Sequence, residues 1–354
     1  MYVVLYHTLW AALPGMTHES TAGRILSFGY LSVGFFFFLS GYILSIVYLR
    51  ADRHIDRRSF YVARFARVYP LFFLTLVGGT PFLFVERVQK YGLTTGMGKT
   101  ALTFLANIVM LQAWIPILRG IDNPNWSLSV ETLFYLVFPI LGAWIWRLKG
   151  SRIWITGVVV WIASQALVQV ACPHLSTSVG EFNPILHLGT FTLGIVLARW
   201  QAQRRSNFGA SPANSTSITL ALAFAAICFP CIVVLSPYAP NIWLGDGMLV
   251  PLFAAIIWAC SDNRGLPARL LSASWLVVLG EASYGLYLIH FPAYQLYLAL
   301  GMDRIRALYP VYLAACIGLS VCSLYWVEIP TRKWLLKRLH ARPKETMEVA
   351  SDAQ

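Results

Sequence analysis

The sequence predicts an all-α integral membrane protein, with about ten transmembrane helices in one bundle and both termini in the cytoplasm. Of its 354 residues, 58% are hydrophobic and only 12% are charged, which leaves too little polar surface to cover a soluble fold. Residues 31–49 and 216–235 are free of charge over the roughly 20 positions that cross a bilayer. Because these runs are continuously apolar and do not alternate, they predict helices and not the strands of an outer-membrane barrel.

Ten apolar segments separated by basic ones are predicted to span the membrane. They lie near residues 1–13, 30–48, 68–86, 127–146, 153–171, 184–198, 216–235, 242–260, 275–297 and 309–329. An even number of spans puts both termini on one side. Residues 101–118 are also apolar, but an eleventh span there would reverse every later loop. We therefore expect that segment to be re-entrant or to lie at the outer interface.

The positive charge is explained by topology. A net charge of +12 would suggest a nucleic-acid partner in a soluble protein, but the 27 Lys and Arg residues cluster between apolar runs. With ten spans, twenty of these 27 residues fall in the segments that would face the cytoplasm, as the positive-inside rule requires. The sequence thus predicts membrane lipids as the surroundings and no nucleic-acid partner.

The chain is predicted to form one membrane domain over residues 1–339, followed by a disordered cytoplasmic tail over the polar residues 340–354. Thirteen residues are short for the first span, so we expect its helix to begin upstream of Met1. No metal is predicted. Cys228 and Cys231 have the C-x-x-C spacing, but they lie in an apolar run without the second ligand pair that a zinc site normally needs.

Ionisable residues inside spans mark candidate functional sites, because charge is costly in hydrocarbon. These residues are His7, Glu131, Glu281, His290 and Glu328. His7 lies about two helical turns before Pro14, toward the outer face. A neutral imidazole there can take a proton from a hydroxyl and return it. A histidine that simply hydrogen-bonds a neighbouring helix fits the position equally well.

Glu131 enters the membrane about one turn below the outer interface, after Asn125, Trp126 and Ser127. A carboxylate at this depth needs a partner, and one candidate is the imidazole of His7, which it would orient and stabilise as a cation. The alternatives are a pair with an arginine or a capping role, with Ser127 serving the helix start and Trp126 acting as an interfacial anchor.

Arg64 and Arg67 stand three residues apart, so they share one face of a helix that enters the third span from the cytoplasm, directly before Tyr69. Two guanidiniums on one face suit a phosphorylated ligand, since each can bind phosphate oxygens bidentately. Anionic lipid headgroups are the alternative ligand. In the ninth span, His290 lies in the outer half, and Tyr284 and Tyr287 share a face on which their hydroxyls can form hydrogen bonds.

Taken together, these polar interruptions and their surroundings resemble the acyltransferase type 3 family, bacterial membrane enzymes that O-acylate cell-surface polysaccharides and related acceptors. The resemblance covers nearly the whole chain and rests on six motifs that follow one another along the predicted spans. The motifs are VVLYH at 3–7, GFFFFLSGYIL at 34–44, RFARVYP at 64–70, NWSLSVETLFY at 125–135, FTLGIVLAR at 191–199 and SYGLYLIHFP at 283–292.

The resemblance implies that His7 is the catalytic histidine, that Arg64 and Arg67, with Tyr69 beside them, contact an acyl-CoA donor, and that Glu131 belongs to the active centre. It implies a multi-pass protein of the bacterial inner membrane that uses acyl-CoA, most simply acetyl-CoA, without a metal. Relatives usually carry an arginine upstream of the histidine, at a position that here would precede Met1.

The acceptor implied by the resemblance is a saccharide or glycolipid outside the cytoplasm. Some members of the family carry a C-terminal periplasmic esterase-like domain that completes the transfer. For this chain, the membrane domain itself or a separate periplasmic partner would deliver the acyl group.

The resulting hypothesis is an EC 2.3.1.- acyltransferase in which His7, oriented by Glu131, deprotonates the acceptor hydroxyl, whose oxygen attacks the thioester. Ser40, Tyr42 or Ser127 would donate to the developing oxyanion. Transient acylation of His7 or of a serine is an alternative route. The non-enzymatic alternatives are a transporter or flippase for a lipid-linked sugar, for which no inverted repeat is seen, and a receptor or assembly subunit.

Overall fold

The structure, a computed structural model, describes residues 1–13, 17, 20–49, 55–121, 123–208, 215–235, 244–261 and 270–340. These residues are almost entirely helical and include no strand, which confirms the predicted all-α class. The predicted tail lies outside the described residues from position 341 onward.

The described helices follow one another along the chain. They are α1 (Tyr2–Ala12), α2 (Thr21–Ser27), α3 (Leu31–Tyr48), α4 (Arg57–Tyr91), α5 (Leu93–Ile108), α6 (Trp126–Trp146), α7 (Ser151–Ala171), α8 (Thr177–Phe182), α9 (Pro184–Phe208), α10 (Ser215–Leu235), α11 (Val250–Cys260), α12 (Ser274–Ala299), α13 (Tyr309–Ser323) and α14 (Ile329–His340). Two π-helical turns, Leu244–Met248 and Leu324–Glu328, precede α11 and α14.

Seven segments of the described chain are helices long and apolar enough to cross a membrane. They are Thr21–Tyr48, Arg57–Tyr91, Trp126–Trp146, Ser151–Ala171, Ser178–Asn207, Ser274–Ala299 and Arg306–Leu339. Shorter apolar helices cover Thr219–Val234 and Val250–Cys260, and α1 has 11 residues. Each predicted span thus coincides with helix wherever the structure describes it, and the chain is a multi-pass membrane protein.

Helix α4 is longer than a bilayer is thick. Its 35 residues correspond to roughly 50 Å at the usual helical rise, although Pro70 and Pro81 lie within it. Asp56 caps its start by accepting a hydrogen bond from the backbone N–H of Arg58, and Gly92, with φ of 80°, ends it. The first turns of α4, which contain Arg57, Arg58, Arg64 and Arg67, therefore extend beyond the apolar part of the helix.

Helices α3 and α9 cross at very close range. A Cβ atom at Gly41 would lie 2.0 Å from the carbonyl oxygen of Phe191, and one at Gly194 would lie 2.1 Å from that of Phe38. Glycines at the crossing let the two backbones approach, as they commonly do in membrane helices. The rings of Phe134 and Phe191 stack beside the crossing with centroids 4.4 Å apart, which fixes α6 against α9.

Gly41→Ala is expected to destabilise the bundle by about 1–3 kcal/mol, the usual cost of overpacking, because the added methyl group meets a backbone oxygen that cannot move alone. Thermal unfolding in detergent would measure the effect. Gly78→Ala is the matched control, since nothing lies within 4 Å of a Cβ at that glycine of α4. Equal unfolding temperatures for the two variants would contradict the close crossing.

Segment 101–118 does not form one continuous helix. Helix α5 ends at Ile108, and the chain continues through turns and the short 3₁₀ helix Pro116–Leu118. Buried amides support this irregular stretch: Asn107 Nδ2 donates to the carbonyl of Leu118 over 3.0 Å, and Gln112 Nε2 to that of Asn125 over 3.0 Å. Irregular backbone at membrane depth needs such internal partners.

Candidate active site

A cavity of about 480 Å³ lies between α3, α4, α6 and α12. Helix α3 contributes a mostly apolar wall that includes Val33, Phe37 and Ile43. The polar lining comes from Ser40, Arg64, Arg67, Ser127, Glu131, Tyr135, Ser283, Tyr284 and Tyr287. Seven of the side chains that the sequence singled out therefore meet at one cavity, although they come from four helices.

Arg64 is held by aromatic side chains. Its Nη2 donates to the hydroxyl of Tyr48 over 2.9 Å. Its guanidinium carbon lies 5.3 Å from the ring centroid of Tyr48, 6.0 Å from that of Phe60 and 5.9 Å from that of Tyr135, all within cation–π range. The Nε atom is buried and has no hydrogen-bond partner within the described residues. The aromatic rings thus fix the orientation of a charged group that lines the cavity.

Arg67 lines the same wall one turn further along α4. Its Nη1 lies 3.6 Å from Oε2 of Glu328, and its guanidinium carbon lies 5.7 Å from the ring centroid of Tyr284. The Tyr284 hydroxyl donates to the carbonyl of Val68 over 2.6 Å, which fixes this ring against α4. The two arginines share one helix face and one cavity, as their spacing predicts.

Glu131 faces the arginines. Its carboxylate accepts a hydrogen bond from the hydroxyl of Tyr135, and it lines one cavity with Ser40, Arg64 and Arg67, whose charges are near enough to act on it. Of the partners considered for this carboxylate, Arg64 and Arg67 are the ones that share its cavity.

The predicted contact between Glu131 and His7 is wrong. Every hydrogen bond that the described residues give His7 goes to Val3 or His290. The reason lies in the packing of the helices. Helix α1 lies against α12, whereas the Glu131 carboxylate points toward α4.

His7 and His290 form a pair. Nδ1 of His7 lies 2.9 Å from the carbonyl oxygen of Val3 and 3.4 Å from Nε2 of His290, and Nδ1 of His290 lies 3.2 Å from the carbonyl oxygen of Leu286. Because a carbonyl only accepts, each Nδ1 is assigned the proton. His290 then accepts through Nε2 from His7. This tautomer leaves Nε2 of His7 with its lone pair, as a general base requires.

Tyr287 separates the histidine pair from the cavity. Its ring centroid lies 6.1 Å from that of His290, and its hydroxyl reaches the cavity end of α6. There the hydroxyl donates to the carbonyl of Pro124 over 2.5 Å and lies 2.7 Å from Oγ of Ser127. The arginines, Glu131, Ser127 with Tyr287, and the two histidines therefore form a continuous series along the bundle.

Six sequence-predicted site residues do not line this cavity: the paired His7 and His290, and also Tyr42, Tyr69, Asn125 and Trp126. Tyr42 donates to Oε1 of Gln201 over 2.7 Å between α3 and α9, so its hydroxyl lies apart from the other two predicted oxyanion donors, Ser40 and Ser127, which line the cavity. Tyr69 donates to the carbonyl of Ile108 over 3.1 Å and braces α5, so the structure places it outside the cavity. In both cases the side chain leaves its helix on the face away from the cavity.

Asn125 and Trp126 support the cavity from outside. Asn125 is buried beside Asn107, whose Oδ1 lies 3.4 Å from its Nδ2. The Trp126 ring packs between those of Phe37 and His187, at centroid distances of 6.0 and 5.4 Å. Both residues therefore lie behind the start of α6 and not in the cavity wall.

Sequence reasoning missed Tyr48 and Tyr135. Tyr135 follows Glu131 by four positions, and this helical spacing could have revealed the hydrogen bond between them. Tyr48 gave no such signal, because it reaches Arg64 only through the packing of α3 on α4. No group of three or more metal-ligating side chains occurs within the described residues, where Cys228 and Cys231 are free thiols.

Comparison with known proteins matches residues 1–334 to the family model described as an acyltransferase domain. The chain is 28% identical to acyltransferase MdmB of Streptomyces mycarofaciens, over 76% of this chain and 69% of that protein. It is 25% identical to the putative peptidoglycan O-acetyltransferase YrhL of Bacillus subtilis, over 75% of this chain and 44% of that protein.

It is also 26% identical to O-acetyltransferase OatA of Staphylococcus aureus, over 92% of this chain and 56% of that protein. The similarity thus spans about half the length of the two O-acetyltransferases. No solved structure matches the chain.

Proposed function

The chain belongs to the acyltransferase domain family, and we propose that it transfers an acyl group from acyl-CoA to a hydroxyl of an extracytoplasmic saccharide. The family confirms the predicted enzyme class, an acyltransferase. The observation that carries the proposal is the series of side chains along the bundle, with paired guanidiniums at the cavity and an imidazole with a free Nε2 beyond Tyr287. These are the groups that a phosphorylated donor and a hydroxyl acceptor require.

In this proposal the coenzyme A phosphates bind Arg64 and Arg67 at the basic end of α4, which the charge distribution assigns to the cytoplasm. The pantetheine arm extends through the cavity toward Ser127 and Tyr287. Glu131 lines the same cavity as the two guanidiniums, where it reduces the repulsion between the arginines and accepts a hydrogen bond from an amide N–H of the pantetheine arm. Acetyl-CoA is the proposed donor, because the named activity of two relatives is O-acetyl transfer.

The reaction begins when Nε2 of His7 takes the proton of the acceptor hydroxyl. The hydroxyl oxygen then attacks the thioester carbonyl, and Ser127, at the end of the cavity nearest the histidines, donates to the oxyanion. The carbon–sulfur bond breaks, and the imidazolium of His7 returns the proton to the thiolate. The products are the O-acylated acceptor and free coenzyme A. Relay through an acyl-enzyme on His7 or a serine is the alternative route.

The proposed location is the bacterial inner membrane, with lipids around the bundle and a saccharide or glycolipid acceptor outside the cytoplasm. A polysaccharide acceptor is supported by the name of the Bacillus subtilis relative, a putative peptidoglycan O-acetyltransferase. A separate periplasmic partner would complete delivery if the acceptor does not reach His7 itself. A transporter or flippase for a lipid-linked sugar is the alternative function.

His290→Gln is expected to lower kcat by about tenfold, a part of the 10²–10⁴-fold contribution of general acid–base catalysis. The variant removes the longer of the two contacts of Nδ1–H of His7 and so loosens the ring orientation, while the Val3 carbonyl still fixes the tautomer. Rates at saturating acetyl-CoA would measure the loss. His187→Gln is the control, because this second buried histidine contacts the carbonyl of Glu181. Equal losses in both variants would contradict the role of His290.

The proposed function is tested by incubating membranes that contain or lack the chain with acetyl-CoA labelled in the acetyl group. The cell-envelope fraction is then analysed for label that mild alkali releases, as expected of an ester. Chain-dependent, alkali-labile label supports the transferase. A folded chain that leaves no label in any envelope fraction contradicts acyl transfer from acetyl-CoA and favours the transporter.

A further inference from the structure

Glu328 is a buried carboxylate that the mechanism above does not use. It is 4% exposed and ends the π-helical turn Leu324–Glu328 between α13 and α14. Its Oε2 lies 3.6 Å from Nη1 of Arg67. It does not itself line the cavity, so it lies behind the arginine as seen from the donor. A buried carboxylate is costly unless a positive group compensates it, and Arg67 is that group here.

The surroundings of Glu328 are built to hold it. Oγ of Ser323 lies 3.4 Å from Oε1 and 2.9 Å from the carbonyl oxygen of Ser320, so its hydroxyl proton lies between two acceptors. On the facing helix, Gly285 leaves the necessary space, because a Cβ there would lie 2.5 Å from Oγ of Ser323 and 3.1 Å from Oε1 of Glu328. π-helical turns are rare and occur frequently at functional sites, where they redirect one side chain. The π-helical turn, Ser323 and Gly285 together orient the carboxylate of Glu328 toward α4.

Two contacts restrict the guanidinium of Arg67. Nη1 faces Glu328, and the Tyr284 ring lies 5.7 Å from the guanidinium carbon. Arg67 nevertheless lines the cavity, so its remaining N–H groups are left for a ligand there. A long arginine side chain loses considerable entropy when an anion immobilises it, and a pre-formed contact reduces that cost on binding.

We propose that Glu328 is a positioning residue for the donor. It fixes the Arg67 guanidinium so that the free N–H groups meet the phosphates of coenzyme A. The inference rests on the proposed function, because it takes the anion at Arg67 to be that of acyl-CoA. Glu328 acts through Arg67 and touches neither the donor nor the reacting atoms. It therefore affects donor affinity and not the rate of the chemical step.

The test uses the purified full chain in detergent with labelled coenzyme A. Glu328→Gln, which keeps the shape and a partner for Ser323, is expected to weaken coenzyme A binding about tenfold, the effect of one well-placed charge-assisted contact. The rate at saturating acetyl-CoA should stay within about twofold of the wild type. Glu281→Gln, on an exposed face of α12, is the matched control and should change neither quantity.

Two further variants separate positioning from general structural damage. In an Arg67→Gln background, Glu328→Gln should cause no additional loss of coenzyme A affinity, because its effect is transmitted by Arg67. Gly285→Ala, which displaces Glu328 without changing its charge, should weaken binding in the same direction. Equal affinities of wild type and folded Glu328→Gln, or losses that add in the double variant, overturn the proposal.

The results that would contradict the proposed acyltransferase function differ from those that would contradict the role of Glu328. A wild-type chain that neither binds coenzyme A nor transfers label from acetyl-CoA overturns both proposals. A wild type that does both, alongside a Glu328→Gln variant with unchanged coenzyme A affinity, overturns the positioning role alone.

Discussion

His7→Ala is expected to lower the rate of acyl transfer by about 10²–10⁴-fold, the usual contribution of a general base, while the bundle stays folded. The variant removes Nε2 of the imidazole. This nitrogen keeps its lone pair because the ring proton lies on Nδ1, where its hydrogen bonds hold it. The fold should tolerate the change, because α1 remains attached through Thr8, whose Oγ1 lies 2.8 Å from the hydroxyl of Tyr309. Transfer of labelled acetyl groups at saturating donor, with coenzyme A binding measured alongside, checks the result.

The expected signature of His7→Ala is a large loss of rate with little loss of donor affinity, since the imidazole lies beyond Tyr287 and outside the donor cavity. His174→Gln, an exposed histidine of the chain, is the control and should behave as the wild type. A His7→Ala enzyme that keeps its rate within a few-fold would assign the proton transfer to another group.

Arg64→Ala is expected to weaken acyl-CoA binding by about 100-fold, because two charge-assisted hydrogen bonds to phosphate are lost. Arg64→Lys should not restore the affinity for acyl-CoA, because lysine has a compact ammonium where the site holds a planar guanidinium among three aromatic rings. The dissociation constant of labelled coenzyme A measures both variants.

Arg57→Ala is the control for Arg64→Ala, because Arg57 starts the same helix, is exposed and does not line the cavity. It should change binding only slightly, and less at high salt. If Arg57→Ala weakens coenzyme A binding as much as Arg64→Ala does, the arginines act as a general positive surface. Anionic lipid headgroups then become the favoured ligand of Arg64 and Arg67.

Much of the fold is predictable from the sequence, because uncharged runs of about 20 residues have few alternatives to a helix in a bilayer. The shared cavity wall of Arg64 and Arg67 was equally predictable, since helical periodicity alone places them on one face. The end of α5 at Ile108 was harder to predict. In sequence, an apolar helix that stops partway differs from a full transmembrane span only in the amide side chains that become buried.

The partners of individual polar groups were not predictable. His7 pairs with His290 and not with Glu131 because α1 packs on α12, and lipid-facing and protein-facing surfaces of membrane helices have similar compositions. Tyr42 and Tyr69 show the same limit, since a tyrosine hydroxyl in an apolar helix finds an acceptor on whichever helix is nearest. The position of Glu328 depends on a π-helical turn, which no feature of the sequence indicates.

The most direct test of the central claim uses sealed membrane vesicles of defined orientation, with labelled acetyl-CoA on the face that carries the basic start of α4 and a saccharide acceptor on the other. We predict ester-linked label on the acceptor across the membrane with the wild-type chain and its loss with His7→Ala. Label that still appears with His7→Ala, or only when donor and acceptor share one face, would contradict transfer through the site described above.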